Sequence, residues 1–222
     1  MDKSVVSVAM QGDEMSVRTR ESDREPGDDR HHGMMGIYRR REIPRVSRDR
    51  FHTMISQGDT VPPAILHNCP RDTNAVTVTC TAPIAFDVVQ RLSHIRTAIL
   101  VGIPGAFTPT CSNNHVPPYL QQIQQLKQHD VDLVAVVATN DPWVMGAWGL
   151  AHDPDGQLEW WSDSKATWLT AMGLVLPTDQ DGFMVRSKRF AMILRHGRVV
   201  YLGVEPGSEV GVSSVDAVLA QL

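Results

Sequence analysis

The chain has 222 residues, a net charge of −4 and 42% hydrophobic content, enough for one domain with a full core and an appendage. No apolar run approaches the ~18 residues of a membrane span, and the mild acidity carries no nucleic-acid footprint. Three cysteines, Cys69, Cys80 and Cys111, with no C-x-x-C among them, argue against a disulfide scaffold, a zinc ribbon and a thioredoxin-type dithiol.

Residues 1–50 carry 11 basic and 10 acidic side chains without a usable period, and Glu25-Pro26-Gly27-Asp28-Asp29 is a breaker cluster. The expectation is a disordered charged extension ahead of one folded domain at 51–222. Arg39-Arg40-Arg41 reads as solvated tail, and His31-His32 with Met34-Met35 gives no metal site. The segment lacks the basic start and apolar core of a secretory signal, and its ten acids do not suit an organelle transit peptide.

Within the domain, Val76–Thr81 alternates as a strand should. Thr97–Gly102 is a continuous apolar run, which suits a strand buried on both faces. A Pro/Gly loop follows, and Cys111–His129 is predicted as a helix with Tyr119, Leu120, Ile123 and Leu126 at helical spacing. Val131–Ala138 is a second buried strand. Asp141–Ala151 is predicted helical, with Asn140 or Asp141 as N-cap and Pro142 in the first turn. Leu158–Trp161 reads as a short strand and Lys165–Met172 as a short helix. Phe190–Arg195 and Arg198–Leu202 flank His196-Gly197 as a hairpin, and Val215–Leu222 closes as a helix. Trp160, Trp161 and Trp168 are expected in the core or at a subunit contact. Strands alternating with helices, then a hairpin and a last helix, imply an α/β three-layer sandwich around a mixed sheet.

The chemistry concentrates in Gly102–Pro118, G-I-P-G-A-F-T-P-T-C-S-N-N-H-V-P-P. A buried strand ends, a Pro/Gly turn follows, and Cys111 opens a helix. A cysteine in a first helical turn faces unpaired backbone N–H groups and the positive end of the dipole, which favour the thiolate, the species that attacks. Pro104 and Pro109 stiffen the loop, with Pro104 placed to keep water from the sulfur. The Thr108 hydroxyl is in position to donate to the thiolate or to a peroxide oxygen. Attack on an O–O bond puts negative charge on the departing oxygen, which calls for fixed donors aimed at it. No Gly-rich phosphate loop is present, and nothing in the sequence calls for a metal or cofactor.

Pro104-x-x-x-Thr108-x-x-Cys111 resembles the P-x-x-x-T-x-x-C signature of peroxiredoxins. The fuller string P-G-A-F-T-P-T-C-S-x-x-H-x-P is similar to the peroxiredoxin-5-like (type II) subfamily. Thr139-Asn140-Asp141 with Gly146-x-Trp148-Gly149, then Lys188-Arg189-Phe190-Ala191-Met192, then Val204-Glu205-Pro206 match in order, so the resemblance spans roughly residues 52–222. It implies a thioredoxin fold that reduces hydrogen peroxide and organic hydroperoxides. By position it makes Cys111 the peroxidatic cysteine, Thr108 the peroxide holder, Pro104 the shield and Arg189 the charge near the sulfur. The backbone N–H groups of Thr110 and Cys111 complete the pocket, and His115 stands in its wall.

The sulfenic acid formed on attack needs a second thiol. Animal relatives resolve with a cysteine just after the Glu-Pro, where this chain has Ser213-Ser214; other relatives carry one about 25 residues past the nucleophile, where this chain has Val136. The expectation is therefore a one-cysteine enzyme reduced by an external thiol: glutaredoxin with glutathione, or a thioredoxin-like protein. Cys69 and Cys80 are read as incidental or structural thiols, an unconventional resolver being the alternative. A redox relay that passes oxidation from Cys111 to a partner is the competing function, and a non-catalytic binding protein the third. The resemblance further implies a homodimer through faces near the active site. The expected location is cytoplasmic. Ala220-Gln221-Leu222 resembles a variant of the S-K-L peroxisomal address, and a mitochondrion is the remaining alternative.

Overall fold

The computed structural model of the protein describes residues 53–70, 81–177 and 184–222. Among them one seven-stranded sheet is formed by β1 (Ile65–Asn68), β2 (Ile84–Asp87), β3 (Thr97–Gly102), β4 (Leu133–Ala138), β5 (Glu159–Ser162), β6 (Phe190–Arg195) and β7 (Arg198–Val204), in the order β2-β1-β5-β4-β3-β6-β7. The central β3, β4 and β5 run parallel, while β6, β7, β1 and β2 add antiparallel neighbours on both flanks. All six residues of β3 and of β4 are buried, the outcome expected of apolar runs without alternation.

The pleat divides those residues between two cores. Ile99, Val101, Val134, Val136, Ala191 and Ile193 face one side. There they meet α2 (Val116–Gln121), α3 (Ile123–Gln128), α4 (Pro142–His152) and α6 (Val215–Leu219) through Tyr119, Ile123, Leu126, Trp148 and Val218. Ala98, Leu100, Ala135, Val137, Met192 and Leu194 face the other side, against α1 (Val88–Ser93) and α5 (Thr167–Ala171). This is the three-layer α/β sandwich. Trp161 and Trp168 lie in the second core, their indole N–H groups donating to Glu159 Oε2 at 2.7 Å and Pro62 O at 2.8 Å, while Trp160 is half-buried against the first.

Asp141 caps α4 as expected, its carboxylate accepting from Val144 N at 2.9 Å with Pro142 at the start. His196 and Gly197 take φ of +49° and +74°, the left-handed pair that a two-residue hairpin turn needs. Strand β4 begins two residues later than predicted, because the Asp132 carboxylate is occupied in bonds to Arg96 N and Thr97 N.

The continuous helix predicted over Cys111–His129 is corrected. Cys111–His115 forms a widened π turn, α2 follows directly, and a second break falls at Gln122. Pro117 and Pro118 supply no N–H to the preceding turn, and Val116 N reaches back to Cys111 O instead. The strand predicted at Val76–Thr81 lies, apart from Thr81, outside the described residues, as do Cys80 and the charged segment 1–50.

Candidate active site

Three chain segments converge at the C-terminal end of β3. The loop after β3 brings Pro104, Thr108 and Thr110, the π turn brings Cys111 and His115, and the residue just before β6 brings Arg189. Gly102, the last residue of β3, is paired with Phe190, and a Cβ there would lie 1.9 Å from Phe190 Cε1. Only glycine lets the loop leave the sheet this close to Arg189.

Cys111 is fully buried, and Arg189 is only 6% exposed. One Arg189 nitrogen makes two contacts. Nη1 donates to Cys111 Sγ at 3.5 Å and approaches His115 Nδ1 at 3.2 Å. Arg189 Nε is buried without a protein partner among the described residues, which is exceptional for a buried donor. Arg189 also lines a cavity of about 420 Å³ with Pro104, Thr108, Pro109, Thr110, Leu176 and Arg186. The structure thus brings together Cys111, Thr108, Arg189, Pro104 and Thr110, all named from the sequence.

Thr108 differs from expectation in one respect. Its hydroxyl donates to Gly105 O at 2.8 Å, a bond local to its own loop, so its proton is committed. What it presents to the cavity is lone pairs, able to accept from a peroxide O–H.

His115 is more than wall. It is 1% exposed, borders a second cavity of about 440 Å³ with Thr110 and Asn114, and binds Ser213 O through Nε2 at 3.0 Å. Tyr119 Oη donates to the same carbonyl at 2.7 Å. Burial drives the His115 pKa down to about 4; the Arg189 charge acts the same way, and the Ser213 carbonyl opposes both. Partial burial works to raise Glu205, yet donors from Ser213 and Gly211 outweigh it and hold the carboxyl below its ordinary value. Within residues 205–213 only the Glu-Pro match and Ser213, the latter as the place of a missing resolving cysteine, stood out in the sequence. No local motif signals that Ser213 O would serve a histidine 98 positions earlier.

Stability follows from that histidine. The unfolded chain takes up the proton near pH 6.5 and the folded chain only near 4, so protons favour the unfolded state as pH falls between those values. We predict a loss of about 2 kcal/mol in unfolding free energy from pH 7 to pH 5, measurable by urea titration. His115→Asn is expected to remove most of that slope; an unchanged slope would contradict a buried neutral imidazole.

Cys69 follows β1, half-buried, its Sγ donating to Thr81 O at 3.0 Å and packing where α4 presents Gly146. None of the residues lining the cavity beside Arg189 is a cysteine. Among the described residues no group of His, Cys, Asp or Glu could hold a metal ion, and no helix is long and apolar enough to cross a membrane.

Comparison with known proteins bears on the family and the fold. The Redoxin family profile matches residues 56–219. Peroxiredoxin-2B of Arabidopsis thaliana is 39% identical over 134 residues, 60% of this chain and 83% of that protein. Reduced Prx3 from Vibrio vulnificus, solved in complex with hydrogen peroxide, superposes with a TM-score of 0.67 at 35% identity, covering 75% of this chain and 98% of that one. Peroxiredoxin 5 from Alvinella pompejana superposes at 0.63 with 26% identity, covering 75% and 97%.

Proposed function

This chain belongs to the redoxin family as a thioredoxin-fold peroxiredoxin, a thiol peroxidase, and on that premise we propose that Cys111 is its peroxidatic nucleophile, working with one cysteine and an external thiol reductant. The observation that carries the assignment is the buried contact of Arg189 Nη1 with Cys111 Sγ at 3.5 Å. A guanidinium held against a sulfur in a water-poor site is a partner for a thiolate, and the thiolate is the attacking form.

In the step so arranged, Sγ attacks one peroxide oxygen. An S–O bond forms, the O–O bond breaks, and the second oxygen leaves with the electron pair and takes a proton to become water or an alcohol. Cys111 is oxidised to the sulfenic acid and the peroxide is reduced. The unpartnered Arg189 Nε–H is a donor for the departing oxygen, while Thr108 accepts the peroxide O–H. Pro104, Pro109, Leu176 and Pro206 give the cavity room and apolar wall for an organic hydroperoxide.

The two usual resolving positions support the one-cysteine reading. Val136 is fully buried in the middle of β4, and Ser213 is fully buried and bonded to Glu205. An external thiol then attacks the sulfenic sulfur, expels water and leaves a mixed disulfide for a second thiol to reduce. Intact mass after one equivalent of hydrogen peroxide, under non-reducing conditions, is expected to show a gain of one oxygen, or of one molecule of any added thiol less two hydrogens. Loss of two hydrogens, the mark of an internal disulfide with Cys69 or Cys80, would contradict it. Sustained turnover with glutathione and glutaredoxin, or with a thioredoxin, separates an enzyme from a relay, which oxidises quickly and turns over poorly.

We also propose a homodimer through the face around the cavity mouths. Leu176 lines the cavity beside Arg189, and Met184 and Val185 line a neighbouring one that shares Pro104, Thr108 and Arg186 with it; all three are exposed, Met184 to 73%, as is Phe107, next in sequence to Thr108, and exposed apolar groups of this kind mark contact surfaces. Sedimentation of the reduced chain at micromolar concentration is expected to give a dimer; a monomer would contradict the proposal.

A further inference from the structure

Cys111, Thr108 and Arg189 have places in the peroxide chemistry, whereas His115 touches no reacting atom there. Its hydrogen bonds nevertheless form part of a closed circuit. A guanidinium only donates, so the 3.2 Å contact requires His115 Nδ1 to be the acceptor. A neutral imidazole with a free lone pair on Nδ1 carries its proton on Nε2, and Nε2 faces Ser213 O, which only accepts, at 3.0 Å. The tautomer is fixed from both sides.

The carbonyl that fixes it is itself held. Ser213 N and Oγ both donate to Glu205 Oε1 at 2.7 Å, and Glu205 N donates to Arg189 O at 2.9 Å. The circuit therefore leaves the Arg189 backbone, passes through Glu205, Ser213 and His115, and returns to the Arg189 guanidinium. Nη1 has two hydrogens; with one accepted by His115, the other is aimed at Cys111 Sγ.

We propose that His115 is a positioning residue of the peroxidase reaction, a neutral acceptor that fixes Arg189 Nη1 so that its second N–H points at the Cys111 sulfur. The proposal rests on Cys111 being the nucleophile. Burial of His115, which keeps the ring uncharged at neutral pH, is consistent with the acceptor role.

The test compares two substitutions in two backgrounds, reading the second-order rate of Cys111 oxidation by hydrogen peroxide in the full chain. His115→Phe fills the ring's space without an acceptor and is expected to slow oxidation about tenfold, which is ~1.4 kcal/mol. His115→Asn keeps an acceptor oxygen near the Nδ1 position and is expected to stay within about threefold. In an Arg189→Gln background, His115→Phe is expected to have no further effect, since a residue acting through Arg189 has nothing left to position. Equal losses in Phe and Asn, or the same loss from Phe in both backgrounds, would overturn the proposal. Should the Phe variant not fold, ¹⁵N chemical shifts of His115 in the unaltered reduced chain decide: Nε2–H with bare Nδ1 supports it, and a protonated Nδ1 overturns it. A chain that consumed no peroxide would overturn the nucleophile assignment while leaving that tautomer measurement standing, so the two failures are distinguishable.

Discussion

Peroxide consumption is expected to fall by on the order of 10⁴-fold or more in Cys111→Ser, the scale seen when an enzyme loses its nucleophile. A serine hydroxyl is far less ionised and less nucleophilic than a cysteine thiol. The fold should survive, because serine is slightly smaller than the buried residue it replaces and the π turn's backbone bonds do not involve the sulfur. The check is a peroxide-consumption assay with an external thiol, paired with thermal unfolding to show the variant is folded. Both the peroxidase and the relay readings require the loss. Unchanged consumption would leave only a binding protein that retains the fold.

The second large effect belongs to Arg189. Arg189→Gln is expected to slow oxidation of Cys111 by about 10²–10³-fold, the range for removing a preorganised donor from a buried reaction centre. The side chain is 6% exposed, so water does not replace it cheaply. His115 Nδ1 also loses its partner, and an unsatisfied buried acceptor costs about 1–3 kcal/mol of stability. Arg189→Lys keeps the charge yet presents it as a compact ammonium on a differently shaped stem, which does not hold a nitrogen with two fixed N–H directions at the Nη1 position between Sγ and Nδ1 and has no counterpart of the Nε–H. An intermediate loss of about tenfold to a hundredfold follows. Stopped-flow oxidation rates, followed through tryptophan fluorescence, measure both; Trp148 donates to Ser112 Oγ at 3.1 Å, one residue from the sulfur. A lysine variant as fast as the unaltered chain would mean that charge alone matters.

Much of this architecture was legible because strong local signals agreed with the tertiary outcome. Thr97–Gly102 appears as β3 with the predicted bounds, since six consecutive apolar or small residues can be satisfied only by burial on both faces. The Asp141-Pro142 start of α4 and the His196-Gly197 turn are likewise set by local backbone chemistry. Strands β1 and β2 and helix α1 went unread. Ile65–Asn68 and Ile84–Asp87 have four residues each and carry exposed Ile65 and Ile84, so no alternating pattern marks them. They are strands because they pair with each other and β1 pairs with β5, a contact made across nearly a hundred residues of chain.

The site divides in the same way. Cys111, Thr108 and Pro104 are neighbours in sequence, and their grouping was readable from spacing. Arg189 was placed by resemblance and is brought in by the antiparallel pairing of β6 on β3. The Ser213 and Glu205 contacts arise from folding of residues 205–214 onto the π turn, and no periodicity or motif announces them. Thr108 shows the limit of residue-type reasoning: a hydroxyl can donate or accept, and the neighbouring Gly105 carbonyl decides.

Trapping with dimedone tests the central claim most directly. The reduced full chain is given one equivalent of hydrogen peroxide with the trap present, and the adduct is mapped by peptide mass spectrometry. One adduct per chain, on Cys111, with Cys69 and Cys80 unmodified, is the predicted result. An adduct on either of those two cysteines with Cys111 untouched would show that the sulfur beside Arg189 is not the one that meets the peroxide.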